Sequence, residues 1–188
     1  YIRVCQELED TGCEIPTKMV ASSAVLGFSA AMSLSAVDPG HMLFGLLPPG
    51  PRSVDVELRP ALHALTSRLI HTRKLDRKEF VKMMSFPVRK DMRFGVIPIG
   101  LRDGMASINV GRVLLRGCSV PILGPISLEH TRVDLTDVPD AQVGDEVVLI
   151  GTQGQGVISA EDVRERQDFG VKAELALAVR ESVPRVYV

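Results

Sequence analysis

The hydrophobic positions of the first segment follow helix and strand patterns in turn. Four apolar residues recur at the spacing of one helix face, and Gly12 is placed to end that helix: Tyr1, Val4, Cys5 and Leu8. Residues 18–25 are predicted to form a short strand, residues 23–34 a second helix, and residues 37–45 a buried strand with a loop inside it. This alternation is typical of parallel α/β units. Two such units cannot cover both faces of a sheet, so we expect the segment to be the end of a larger structure.

The pattern changes after a proline-rich stretch. Residues 47–51 contain three prolines and a glycine, which favour an extended linker, and we place this linker at residues 48–57. Beyond it, short β-branched segments are separated by turn signals: residues 58–71, 93–99, 112–115, 120–123, 131–135 and 146–150. This spacing predicts an all-β module of sandwich or barrel type over residues 58–188.

Three local patterns refine that module. Ser159 and Asp162 have the spacing of a capping box at the start of a helix. The apolar run at residues 183–188 predicts a closing strand. The glycine-rich stretch 151–156 resembles a phosphate loop only superficially, because no strand-to-helix pattern with a lysine follows it, and a hairpin turn is favoured.

Composition narrows the class of protein. Apolar residues make up 45% of the 188 positions, charged residues 24%, and the net charge is -1. These values are typical of a soluble globular protein and argue against a nucleic-acid binder, which usually carries a basic stripe. The mixed charges around Arg68 to Lys78 predict a solvated strand edge or loop. Residues 19–34 are too short and too serine-rich to span a membrane.

The cysteines do not indicate a metal site or a disulfide framework. Three cysteines are too few and too scattered for either. We interpret them as reduced packing residues of a cytoplasmic protein: Cys5, Cys13 and Cys118.

Five sequence blocks resemble the alanine racemases and occur in that family's order: residues 95–100 with 103–104, 133–137, 143–151, 158–161 and 183–188. The first segment is similar as well, through residues 21–24 and 38–40, whereas residues 48–93 match poorly. The resemblance implies the last β/α units of a barrel at residues 1–47 and an all-β C-terminal domain of alanine racemase type at residues 58–188. It also implies that pyridoxal phosphate is held on a lysine of the first barrel strand. That lysine is not found in this sequence.

The family's assembly implies partners for this chain. In alanine racemases the β domain completes the active site of the other subunit of a head-to-tail dimer. We therefore expect a chain or segment that supplies the first part of the barrel, and a dimer or larger assembly acting on a small molecule.

The resemblance can be followed residue by residue into the site. Racemisation needs a base on each side of the α-carbon, and the family's catalytic tyrosine falls at Leu101. The arginine that faces the pyridine nitrogen falls at Asp38, and a tyrosine that reaches the phosphate falls at Ala173. The family's Arg-x-Cys-Met-Asp block falls at residues 125–129, where this sequence has Pro-Ile-Ser-Leu-Glu instead. Ser23 and Gly40 remain as contacts for the cofactor phosphate.

Four polar residues have two interpretations each. Asp38 is either a partner for a protonated pyridine nitrogen or, as we favour, a turn residue before Pro39 that bonds backbone N–H groups. Glu129 and His130 could replace an acid–base pair, but neighbours on a strand point to opposite faces, so we favour a half-buried glutamate and a surface histidine. His41 could bind an anion, although ordinary burial is favoured.

Two functions remain open on these grounds. The first is a chain of an alanine racemase-like isomerase or other pyridoxal phosphate enzyme whose racemase chemistry is altered or lost. The second is a binding or assembly subunit that keeps the scaffold without the cofactor. A cofactor-independent enzyme on the same scaffold is a third option, but no nucleophile–base pair in the sequence supports it.

Overall fold

The computed structural model describes residues 1–46, 50–51, 53–75, 86, 88–89, 91–160, 162–163 and 178–188. Contacts divide the chain into two units, Tyr1–Ala61 and Leu62–Val188. The proline-rich residues 47–49 lie outside the described residues, as do Ala173 and four of the chain's lysines.

The first unit is built on two short parallel strands. Helix α1 spans Ile2–Asp10, as its pattern predicts, and strand β1 spans Met19–Ser22. Helix α2 (Ser23–Phe28) and a 3-10 turn (Ala30–Ser33) lead to strand β2 (Ala36–Asp38) and the short helix α3 (Gly40–Leu43). Ser22 lies opposite Asp38 in the register. The carboxyl ends of both strands, and the helices that follow them, therefore meet on one edge.

Two predictions for this unit are wrong in detail. The helix expected over residues 23–34 stops at Phe28, because Ser29 is extended and Leu34 has a φ of 46°. Gly27 and the neighbouring serines have weak helix propensity, and apolar spacing alone did not reveal that. The buried strand expected over residues 37–45 is a short exposed strand followed by a helical turn, since Pro39 favours an extended residue before it and a helix start after it.

The second unit is antiparallel. Its strands are β3 (Leu65–Arg68), β4 (His71–Lys74), β5 (Arg93–Ile97), β6 (Arg112–Leu115), β7 (Cys118–Leu123), β8 (Thr131–Asp134), β9 (Glu146–Gln153) and β10 (Gly156–Ile158). A 3-10 turn (Leu101–Asp103) and helix α4 (Met105–Ile108) follow β5. The strand order is β10-β9-β6-β7-β8-β5-β4, and β3 pairs with β9. Only two residues separate β3 from β4, so this segment links β9, the second strand of the order, to β4 at its far end.

The core of this unit comes from the inward side chains of those strands. Fully buried positions include Ile97, Val113, Leu115, Val133 and Val147. The predicted segments from residue 93 to residue 150 are confirmed as strands, because short β-branched runs between turn residues favour the extended backbone of a sheet. The hairpin expected at the glycine-rich stretch is also confirmed, with Gly154 at a φ of 60° between β9 and β10.

Of the two predictions for the last part of the β unit, one is confirmed and one is wrong. The capping box is confirmed: the Ser159 N–H donates to the Asp162 carboxylate at 2.7 Å, and the Asp162 N–H donates to the Ser159 hydroxyl at 3.2 Å. The closing strand is wrong, since residues 183–188 pair with no strand among the described residues and Val186 to Val188 are exposed. An apolar run predicts a strand only where a neighbouring edge accepts its hydrogen bonds.

The predictions for the charged cluster and for the cysteines can be compared with the exposure of those residues in the structure. Arg68, His71, Arg73 and Lys74 are exposed on strands β3 and β4, which confirms a solvated strand edge for the described part of that cluster. Cys5 is buried, whereas Cys13 and Cys118 are exposed, so the packing role predicted for those two is wrong.

One ion pair joins two turns of the β unit. The guanidinium of Arg116 donates to both carboxylate oxygens of Asp145, at 2.7 and 3.3 Å, and the Gln142 N–H donates to the same carboxylate at 3.0 Å. The Arg116 guanidinium and then the Gln142 N–H hold the pKa of Asp145 below its ordinary value. The pair therefore favours the folded state only while Asp145 is ionised.

Stability is expected to fall in acid, partly through Asp145. A carboxyl whose pKa is lower in the folded state contributes stability above its unfolded pKa and loses it as the pH falls through the folded pKa. Asp145→Asn should lower the free energy of unfolding at neutral pH by up to about 1 kcal/mol, the upper range for solvent-screened pairs. Denaturant titrations at several pH values should show this difference shrinking in acid. Asp137→Asn, at an exposed position, is the control, and an equal loss in both variants would contradict the ion-pair effect.

Candidate functional site

A cavity lies where the two parallel strands of the first unit end. Its volume is about 310 Å³, and its lining is formed by six residues: Ser22, Ser23, Ala24, Asp38, Gly40 and His41. All three candidate cofactor-binding residues, Ser23, Gly40 and Asp38, lie on it. They come together because both strands run the same way and each turns into a helix at its carboxyl end.

Ser23 is the most buried polar residue of the cavity. It is 2% exposed, and its hydroxyl oxygen accepts the N–H of Met42 at 3.2 Å. This bond ties the start of α2 to α3. A hydroxyl that accepts one hydrogen bond can still donate its own proton, so Ser23 can serve as a donor to an anion.

Gly40 and His41 begin α3 on the other side of the cavity. A Cβ added at Gly40 would meet nothing within 4 Å, so this position is open and not tightly packed. His41 is half-buried on the same lining. The first N–H groups of a helix have no partner within the helix, so this side offers donors as well.

Asp38 differs from the other lining residues because it brings a negative charge. Its side chain is exposed at the end of β2. Within the described part of the chain, no backbone N–H donates to its carboxylate, so the turn bonding that we favoured for this aspartate is not found. The cavity thus combines donors suited to an anion with a carboxylate suited to a cationic or N–H group.

A second candidate site lies in the β unit, on the turn that follows β5. The Leu101 N–H donates to the Ser127 carbonyl at 3.0 Å, and the Arg102 N–H donates to the Leu128 carbonyl at 2.9 Å. The Asp103 carboxylate accepts the Gly100 N–H at 2.8 Å and fixes the turn from within. The turn that carries Leu101 and the altered block at residues 125–129 therefore form one hydrogen-bonded unit.

Gly100 is required by the close approach of these two segments. A Cβ at this position would lie 2.5 Å from the Leu128 carbonyl and the Glu129 nitrogen, which are backbone atoms that cannot move aside. The φ of Gly104, 103°, lies in the left-handed region and ends the same turn.

The side chains on this unit are exposed. Leu101 is 42% exposed and Leu128 is 64% exposed, and we call this pair the leucine face. Beside it, Arg102 donates to Glu129 at 3.0 Å in an exposed ion pair. Our interpretation of Glu129 and His130 was therefore partly wrong. Both lie in the turn before β8 and not on a strand, and Glu129 is exposed and paired; His130 is a surface histidine, as predicted.

An open groove of about 720 Å³ adjoins this turn. Its lining is charged and comes from three segments: Pro98, Arg102, Asp103, Glu129, His130, Arg180, Glu181 and Ser182. No sequence pattern predicts residues 180–182 at this groove, because only a long-range contact of the fold brings them to the turn. Their position directly before the matched block at residues 183–188 was the available signal.

Two negative findings apply to the described residues. No group of three potential metal-ligating side chains occurs among them. None of the helices seen in those ranges is long and apolar enough to cross a bilayer.

Comparison with known proteins gives consistent matches. The family model described as "Alanine racemase, C-terminal domain" matches residues 62–187. The alanine racemase of Halothermothrix orenii is 32% identical over 190 residues, which cover 100% of this chain and 50% of that protein. Alanine racemase 1 of Caldanaerobacter subterraneus subsp. tengcongensis is also 32% identical, with 100% and 48% covered.

Solved structures agree in fold. The alanine racemase of Bacillus anthracis with bound L-Ala-P has a TM-score of 0.81 and 23% identity, covering 100% of this chain and 48% of that one. An alanine racemase of Clostridium difficile has a TM-score of 0.77 and 26% identity, with the same coverage. The chain spans about half the length of the curated relatives it matches.

Proposed function

Because the chain belongs to the alanine racemase family, we propose that it forms the end of the β/α barrel and the C-terminal β domain of an amino-acid-converting pyridoxal phosphate enzyme with altered racemase chemistry. In this proposal residues 1–47 are the barrel end, residues 48–57 the linker and residues 58–188 the β domain. The observation that carries it is the cavity on which Ser23, Gly40 and Asp38 meet.

The donor set of that cavity fits the cofactor. A phosphate needs hydrogen-bond donors, and in this proposal they are the buried Ser23 hydroxyl and the N–H groups of Gly40 and His41, two residues that line the same cavity. The ring nitrogen can be met by the carboxylate of Asp38 on the same lining. When bound, pyridoxal phosphate withdraws electrons from the α-carbon of an amino acid. The lysine that would hold it belongs to the proposed barrel partner.

The β domain contributes no second base in this proposal. An aliphatic side chain cannot accept or return a proton, and Leu101 occupies the position of the family's tyrosine. The hydrogen-bonded turn around Leu101 supports a retained scaffold, whereas the exposed leucine face supports a changed reaction or a changed partner.

The alternative is a binding or assembly subunit without the cofactor. The leucine face favours it, because apolar side chains at this place suit a contact between chains better than proton transfer. The two functions differ in one property that can be measured directly, the affinity for pyridoxal 5′-phosphate.

The test is a cofactor titration of the complete protein, followed by its near-visible absorption spectrum. We expect an absorption band from bound cofactor. Ser23→Ala should raise the dissociation constant about tenfold or more, since hydrogen bonds to charged groups are worth about 1.5–3 kcal/mol. Ser119→Ala, an exposed serine on β7, is the control and should bind like the parent. A complete protein that binds no cofactor would support the assembly subunit instead.

A further inference from the structure

Asp38 is the one charged residue on the described lining of the strand-end cavity. The other members of that lining are two serines, an alanine, a glycine and a histidine. No lysine or arginine among the described residues faces the carboxylate there, and no ion pair to it is formed within those ranges. A carboxylate at a binding cavity without a counter-ion selects a ligand group that is positive or donates an N–H.

The same cavity selects for a negative group at another point. Ser23 is buried and its oxygen already accepts the N–H of Met42, so its hydroxyl proton is available to donate to an acceptor group of a ligand. Ser22, next to it, lies directly opposite Asp38 in the strand register. A ligand that spans both points therefore needs an anionic end near Ser23 and a cationic or N–H group near Asp38.

We propose that Asp38 accepts a hydrogen bond from the protonated pyridine nitrogen of pyridoxal phosphate, so that the bound cofactor keeps a proton on its ring. This inference rests on the proposed cofactor site and specifies its electrostatics. An adjacent carboxylate stabilises the protonated ring because opposite charges favour the charged form. A protonated ring draws electrons from the α-carbon more strongly than a neutral one, which suits a reaction other than two-base racemisation.

The proposal is tested by nitrogen NMR on the complete protein loaded with pyridoxal 5′-phosphate labelled with ¹⁵N in the ring. We expect the resonance of a protonated pyridine nitrogen in the parent at neutral pH. Asp38→Asn should move it towards the neutral position and weaken cofactor binding about tenfold or more. Asp38→Glu, which keeps the carboxylate, should retain the protonated resonance. Asp55→Asn, an exposed aspartate of the same unit, should behave like the parent.

The outcomes separate this proposal from the one on which it rests. A labelled cofactor that binds tightly with a neutral nitrogen in the parent would overturn the role of Asp38 and leave the cofactor site standing. A protonated resonance that persists unchanged in Asp38→Asn would do the same. A parent protein that does not bind the cofactor at all would overturn both.

Discussion

The complete protein is expected to convert L-alanine to D-alanine about 10² to 10⁴ times more slowly than a racemase with both bases, which is the usual effect of losing one positioned acid–base group. The cause is Leu101. Its backbone is held by the Ser127 carbonyl in the turn after β5, but its side chain has no atom that can exchange a proton. Coupled detection of D-alanine, with L-alanine as the substrate, measures this rate.

Restoring the hydroxyl alone should not restore the reaction. Leu101→Tyr places a phenol on the same turn, but Asp38 still differs from the arginine that the family has at the ring nitrogen. Leu101→Phe is the matched control, since it adds the ring without the hydroxyl. D-alanine formation by the parent at about 10 s⁻¹, an ordinary enzyme rate, would contradict the prediction.

The second large effect concerns assembly. Leu101→Asp should split the proposed dimer or larger assembly, because a carboxylate buried without a partner costs several kcal/mol. In this chain the leucine face is exposed, so the substitution should be tolerated by the isolated fold and act only where a second chain covers the face. Size-exclusion chromatography with light scattering gives the mass directly.

The control for this experiment is Val157→Asp. Val157 is 55% exposed on β10, at the opposite end of the strand order from β5, and the substitution introduces the same charge. We expect this variant to keep the mass of the parent. If Leu101→Asp also kept that mass, the leucine face would be a solvent-filled remnant of an old site and not an interface.

The β unit was more predictable from sequence than the first unit, and the reason is physical. Arg112–Leu115 is a short apolar run between turns, and its last three residues are buried, so composition and turn residues identify such strands. The break at Ser29 and the helical turn at Gly40 depend on local propensity and on Pro39, which compete with apolar spacing.

The two candidate sites also differ in how far the sequence could predict them. Ser23, Asp38 and Gly40 follow strands that run in parallel, so a shared edge could be expected once the strands were identified. The contact of Leu101 with Ser127 joins residues far apart in sequence through backbone groups, for which side-chain patterns carry no signal. Arg102 and Glu129 pair only because of that contact.

The backbone bonds between the Leu101 turn and residues 127–129 also matter for engineering. Since the two segments are joined through main-chain atoms, their exposed side chains can be randomised without disturbing the geometry that presents them. A combinatorial library at positions 101, 128 and 129 would therefore sample new surface chemistries on a constant frame. Gly100 has to stay invariant in every member, because any Cβ there collides with the opposing main chain.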